Sequence, residues 1–80
     1  MAKVIVHLVF PQKLIKEPLI FQMAKKYDVT PNIRRANITD KVGEVTLLLS
    51  GTRENLEKGR KFLERKGIKV DPVVGDIVAG

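Results

Sequence analysis

Residues 44–50 read Glu44-Val45-Thr46-Leu47-Leu48-Leu49-Ser50, the clearest strand in the chain, and the rest of the fold is read outward from it. Its β-branched and apolar residues lie between Gly43 and Gly51, the punctuation expected at strand ends. Upstream, Asp40-Lys41-Val42-Gly43 has the composition of a hairpin connection, so the polar run Asn32 to Thr39 becomes an antiparallel partner strand. Downstream, Thr52 offers a hydroxyl as a helix cap, Glu54 falls in the first turn, and Leu56, Gly59, Phe62 and Leu63 recur along one buried side. Gly67 suits a left-handed helix end, and Lys61, Arg65 and Lys66 complement the negative pole of the dipole. A last strand runs from Ile68 to Val74, with Pro72 as an edge or late-strand feature, and residues 75–80 form a tail with no assignment.

In the first half, Lys3 to Phe10 is apolar at both parities, as a strand in the middle of a sheet must be. Glu17 and Pro18 supply a helix start, with proline at the first helical position, and Leu19, Ile20, Met23, Ala24 and Tyr27 follow at helical spacing until Asp28 to Pro31 break the pattern. The order is βαββαβ. Two right-handed crossovers around a central hairpin give an α+β, ferredoxin-like sandwich: a four-stranded antiparallel sheet with two helices on one face. Residues 1–80 are read as one domain, since 80 residues cannot support two cores.

The second sheet face is then bare. With Val45, Leu47 and Leu49 toward the helices, Leu48 faces away, joined from the first strand by Ile5 and Val9 or by Val4, Val6 and Leu8. An apolar strip on an open face marks an interface, so a homodimer or docking partner is expected, with Ile5, Val9 and Leu48 as interface residues.

Composition narrows the chemistry. The absence of cysteine excludes disulfides, iron–sulfur clusters, thiol nucleophiles and Cys-based zinc sites. No other metal or cofactor is expected. The apolar run after Met1-Ala2-Lys3 lacks the length and cleavage site of a signal peptide, so the protein is expected in the cytoplasm without membrane insertion. The net charge of +6 admits anionic partners of several kinds. RNA recognition motifs share this strand order, but they stack bases on aromatics of the central strands, and Phe10, Phe21, Tyr27 and Phe62 lie at a strand end or on helices, where core packing explains them. No specific nucleic-acid partner is expected. His7, the one histidine, sits in an apolar strand and reads as structural. The carboxylates fall at helix starts, turns and solvent faces, and Ser50-Gly51-Thr52 lacks both the nucleophile-elbow and the phosphate-loop pattern. No catalytic residue is assigned.

Pro31-Asn32-Ile33-Arg34-Arg35-Ala36-Asn37-Ile38 is the stretch that architecture leaves unexplained, because two Asn and two adjacent Arg are poor strand formers unless something uses them. An Asn amide both donates and accepts, which suits the ammonium and carboxylate of an amino acid, and Arg grips carboxylate or phosphate bidentately. The opposing reading has Asn32 closing a turn and the arginines pointing to water at a sheet edge.

Here the sequence resembles the NIL domain family. The likeness rests on Phe10-Pro11, Glu17-Pro18-Leu19-Ile20, Asn32-Ile33 with Ala36-Asn37-Ile38, Leu47 to Gly51, and Phe62 to Val70, in that order. The resemblance implies a ferredoxin-like fold related to amino-acid-sensing ACT domains. It also implies a domain that, in methionine-importing ABC transporters, follows the ATPase, pairs with its twin and binds methionine at the junction. Two departures shape the transfer: Arg34 stands where the family signature has leucine, and no ATPase precedes the domain. Asn-Ile-Arg-Arg-Ala-Asn with a Gly-Asp-Ile-Val tail is closer to NIL domains fused to ferredoxin modules, so any ferredoxin, sulfur amino-acid biosynthetic enzyme or transporter ATPase is expected in trans. The expectation is a non-enzymatic, dimeric regulatory module for methionine or homocysteine, with Asn32, Ile33, Arg34, Arg35 and Asn37 at the ligand. A docking adaptor that binds no small molecule is the alternative.

Overall fold

The structure, a computed structural model, describes the backbone of residues 1–79 and the side chains of residues 1–73. Strand β1 (Ala2–Phe10) is followed by a short 3-10 turn at Gln12–Leu14, helix α1 (Leu19–Tyr27), strands β2 (Thr30–Ile38) and β3 (Gly43–Gly51), helix α2 (Arg53–Arg65) and strand β4 (Lys69–Ala79). The strands form one antiparallel sheet in the order β2-β3-β1-β4. This is the ferredoxin-like α+β sandwich read from the sequence, with β1 and β3 in the middle and the Pro72 strand at an edge.

Strict alternation makes the core. Val6, Leu8 and Phe10 of β1 and Val45, Leu47 and Leu49 of β3 are buried beneath Leu19 and Met23 of α1 and Phe62 and Leu63 of α2. Burying side chains of this size stabilises the fold by about 1.5–3 kcal/mol each, so these two central strands anchor the sheet. Between the helices Gly59 is buried against Met23, and a side chain there would collide with the Met23 sulfur.

The caps follow the sequence with one shift. The Thr52 hydroxyl accepts from the Asn55 N–H at 3.0 Å. Gly67 ends α2 at φ +102°, and Asp28 caps α1 in the left-handed region at φ 54°. Pro18 is the N-cap of α1 rather than its first helical residue, so helical dihedrals begin at Leu19. Strand β2 ends at Ile38 because the Thr39 hydroxyl accepts from the N–H groups of Lys41 and Val42 and closes the hairpin turn. Phe21, expected in the core with the other aromatics, is 64% exposed, one position off the stripe held by Leu19 and Met23. The backbone expected to become a tail after Val74 continues as β4 to Ala79, paired with Ala2–Val4; Gly80 lies outside the described residues.

Candidate functional site

The helices cover one sheet face, and the ladder register says what the other carries. Four rows run across it: Thr30, Ser50 and Lys3; Asn32, Leu48 and Ile5; Arg35, Thr46, His7 and Asp71; Asn37, Glu44, Val9 and Lys69. Residues directly opposite in an antiparallel ladder share a face. The expected interface residues Ile5, Val9 and Leu48 therefore lie together on the open side, each partly buried only by its neighbours, and the choice between the two parities of β1 falls to Ile5 and Val9.

Strand β2 differs from β1 and β3 in being exposed along almost its whole length. It pairs with β3 alone, α1 barely overlies it, and even Ile33 and Ile38 on its helix side are 62% and 57% exposed. A register shift between Ile33 and Arg35 interrupts its alternation. In a regular strand Arg34 and Arg35 would point to opposite faces; here both border one depression on the open side with Ile5, Thr46 and Val73.

The predicted ligand residues are thus divided. Asn32, Arg34 and Arg35 share the open face within two ladder rows. Asn37 shares that face beside Glu44, but Glu44 and Leu48 are four residues apart on β3, so Asn37 stands about 13 Å from the Asn32 row, beyond the reach of one amino-acid ligand. Ile33 lies opposite Leu47 on the helix side, away from Asn32.

The open face carries cations at Arg34 and Arg35 of β2 and at Lys3 of β1. His7 Nδ1 lies 3.2 Å from the Thr46 hydroxyl and Nε2 lies 3.5 Å from Glu44, while Lys69 is 3.8 Å from Asp71. Among the described residues no carboxylate pairs with Arg34 or Arg35. The resolved titration shifts lie on α2, where the Arg60 guanidinium, donating to Glu57, holds that carboxyl below its usual range and is itself raised.

His7 and Thr46 are the residues that sequence reading passed over. The signal was available: His7 has the same parity as Ile5 and Val9, and Thr46 the same parity as Leu48. Two apolar cavities on the helix side were not foreseen either. One of about 160 Å³ lies between the start of α1 and Ile38, and one of about 320 Å³ lies between α2 and Val4, Val6 and Leu49; neither touches a predicted site residue. Among the described residues no group of three His, Asp or Glu side chains converges to hold a metal, and no helix is long and apolar enough to cross a membrane.

The profile of the family described as the NIL domain matches residues 4–72. A curated relative, the methionine import ATP-binding protein MetN 2 of Acinetobacter baylyi, is 34% identical over 71 residues, covering 84% of this chain and 21% of its own length. The chain therefore spans about a fifth of that relative. Among solved structures, the C-terminal domain of an ABC transporter ATP-binding protein from Enterococcus faecalis superposes with a TM-score of 0.80 at 22% identity, over 91% of this chain and 86% of that one. The de novo designed protein Foldit4 superposes at 0.60 with 13% identity, over 99% and 97%. At those identities the two structures speak for the fold alone.

Proposed function

Because the chain belongs to the NIL domain family, we propose that it is a non-catalytic regulatory module that binds a sulfur-containing amino acid, methionine or homocysteine, at a homodimer interface on the open sheet face. A relative that is a methionine import protein supports the ligand class. The observation that carries the reading is the placement of Asn32, Arg34 and Arg35 on the same face as Ile5 and Leu48, so that ligand groups and interface groups adjoin. One guanidinium pairs the α-carboxylate and Asn32 orients the ammonium group. Ile33 and Asn37, on the far face and in the far row, have no part in this ligand contact.

The face is large enough for the second copy. The molecule measures 37 × 24 Å across its two long axes, room for a standard patch of about 800 Å² per partner. Pairing through the outer edge of β2 is disfavoured by Pro31, by the irregularity at Arg34 and by the two arginines, the devices that keep edge strands from adding further strands. The work of such a module is done on a partner it regulates, a transporter ATPase in the context the relative suggests.

Isothermal titration with a panel of amino acids, combined with sedimentation equilibrium, tests this. Methionine or homocysteine should give heat and strengthen dimerisation by mass action, and Asn32→Ala should abolish the heat while leaving circular dichroism and the ligand-free dimer unchanged. No heat from any amino acid, with a stable dimer, would transfer the open face to the adaptor reading. A monomer under all conditions would remove both.

A further inference from the structure

The register shift in β2 does more than expose two arginines; it brings them to one side of the sheet. Alternation would send Arg34 and Arg35 to opposite faces, whereas both border the depression of about 340 Å³ lined also by Ile5, Thr46 and Val73. A volume of that size stands at the lower end of the range for small-ligand sites. The nearest acids on the face are already engaged, Glu44 with His7 and Asp71 with Lys69, so the depression holds two guanidiniums without a counter-charge among the described residues.

An amino acid with an uncharged side chain supplies one carboxylate and one ammonium group. It occupies one guanidinium and leaves its neighbour facing water. Two forks side by side match two anionic groups, or one group with three oxygens and a carboxylate beside it. Irregularities of this kind re-aim side chains next to binding sites, and here the re-aimed residue is the second cation. We infer that the ligand of this face is an acidic amino acid, carrying a sulfonate, phosphate or carboxylate on its side chain in addition to its α-carboxylate. The inference rests on the open face being the ligand site and changes the side chain it takes from uncharged to acidic. Arg34 is the specificity-determining residue, and Thr46, whose hydroxyl stands 3.2 Å from His7 Nδ1, completes the acceptor and donor set beneath the ligand.

The test compares L-methionine, L-homocysteate, O-phospho-L-serine and L-glutamate by isothermal titration on the full 80-residue chain, with ¹H–¹⁵N spectra following the Arg34, Arg35 and Thr46 amides. At least one acidic ligand should bind tenfold or more tightly than methionine, its advantage shrinking as salt rises, and the strongest of the three identifies the anion. Arg34→Leu should reduce that ratio to within threefold of unity, and Arg34→Lys, which keeps charge but loses the fork, should fall between. Arg34 is exposed, so both variants are expected to fold, and the spectra check it. Equal affinities for methionine and all three acidic ligands would overturn this inference and leave the methionine reading standing. Inorganic sulfate or phosphate binding as tightly as homocysteate or phosphoserine would overturn it too, by reducing the arginines to a general anion patch. Binding of an acidic ligand with none of methionine would uphold it and revise the ligand class proposed above, and no binding of any ligand would remove both.

Discussion

Replacing Gly59 by alanine tests the packing that holds the helix layer to one side of the sheet. Built on the observed backbone, the new Cβ stands 2.8 Å from the Met23 Sδ and 3.2 Å from its Cγ, and Met23 is fully buried, so the thioether has no solvent to swing into. Overpacking of this kind costs about 1–3 kcal/mol. Against it, alanine in a helix interior is favoured over glycine by about 0.8–1 kcal/mol. Packing wins, leaving Gly59→Ala less stable by about 1 kcal/mol, which is about 4–8 °C in Tm for a domain this small. The sign should reverse once the obstruction is removed: in a Met23→Ala background, itself about 2–5 kcal/mol less stable, Gly59→Ala should be stabilising by up to about 1 kcal/mol. Urea unfolding followed by circular dichroism at 222 nm measures all four corners of the cycle. A Gly59→Ala effect of the same sign in both backgrounds would refute the reasoning, because helix propensity would then be deciding alone.

Three further expectations follow from single contacts. Thr52→Ala removes the hydroxyl that accepts from the Asn55 N–H and should cost about 0.5–2 kcal/mol in the same assay, with Thr52→Ser restoring most of it. Leu48→Lys sets a charge in the middle of the open face and should shift sedimentation-equilibrium mass toward the monomer with unfolding midpoints nearly unchanged; a persistent dimer would move the interface elsewhere. The Glu57 carboxyl is held low by Arg60, so this contact stabilises at pH above the ordinary carboxylate range and is lost as pH falls through the lowered native value. Thermal midpoints of the native chain and of Arg60→Gln should therefore converge on acidification, the native curve falling more, and parallel curves would show that the pair contributes nothing.

How far the fold could be read in advance depended on which residues had a face to bury. β1 and β3 are apolar runs, so their extents were legible from Val4 to Phe10 and from Val45 to Leu49, as was the inward set of β3; β1, apolar at both parities, left its inward set to the register. The helices were equally plain, since Met23, Gly59, Phe62 and Leu63 fall on stripes. β2 has no such constraint. With both faces near solvent, nothing in Asn32 to Ile38 records which side each residue takes, and the register shift at Arg34 leaves no mark on residue type. That is why five ligand residues could be named together and then divide into Asn32, Arg34 and Arg35 at one place, Asn37 about 13 Å away and Ile33 on the far side. β4 was underestimated for a related reason: Gly75 interrupts a pattern whose pairing is dictated by β1, which reaches back to Ala2 and carries the strand on to Ala79.

The mixed character of the open face bears on how a module of this kind could respond to its ligand. If Ile5, Leu48 and Val9 formed an unbroken apolar strip, a second copy would bury it permanently and ligand could add little. His7 and Thr46 separate Ile5 and Leu48 from Val9, and covering the face means withdrawing His7, Thr46 and the neighbouring Glu44 from water, a cost set against the apolar gain. Two arginines per copy that have no carboxylate partner among the described residues, brought toward a like-charged partner surface, oppose association further. An anionic ligand neutralises those cations only when it is bound, so its free energy enters where association is otherwise nearly balanced. Ligand at a hundred times its dissociation constant adds about 2.7 kcal/mol per site, and two sites per dimer suffice to carry an equilibrium from mostly separate to mostly paired. On this account the polar row and the arginines keep the dimer weak enough for the ligand to control, and removing them should give a tighter dimer that no longer responds. His7→Leu with Thr46→Val should show that behaviour in sedimentation equilibrium: stronger self-association without ligand, and a smaller increment when ligand is added. A double variant that associates more weakly than the native chain would refute this role for the polar row.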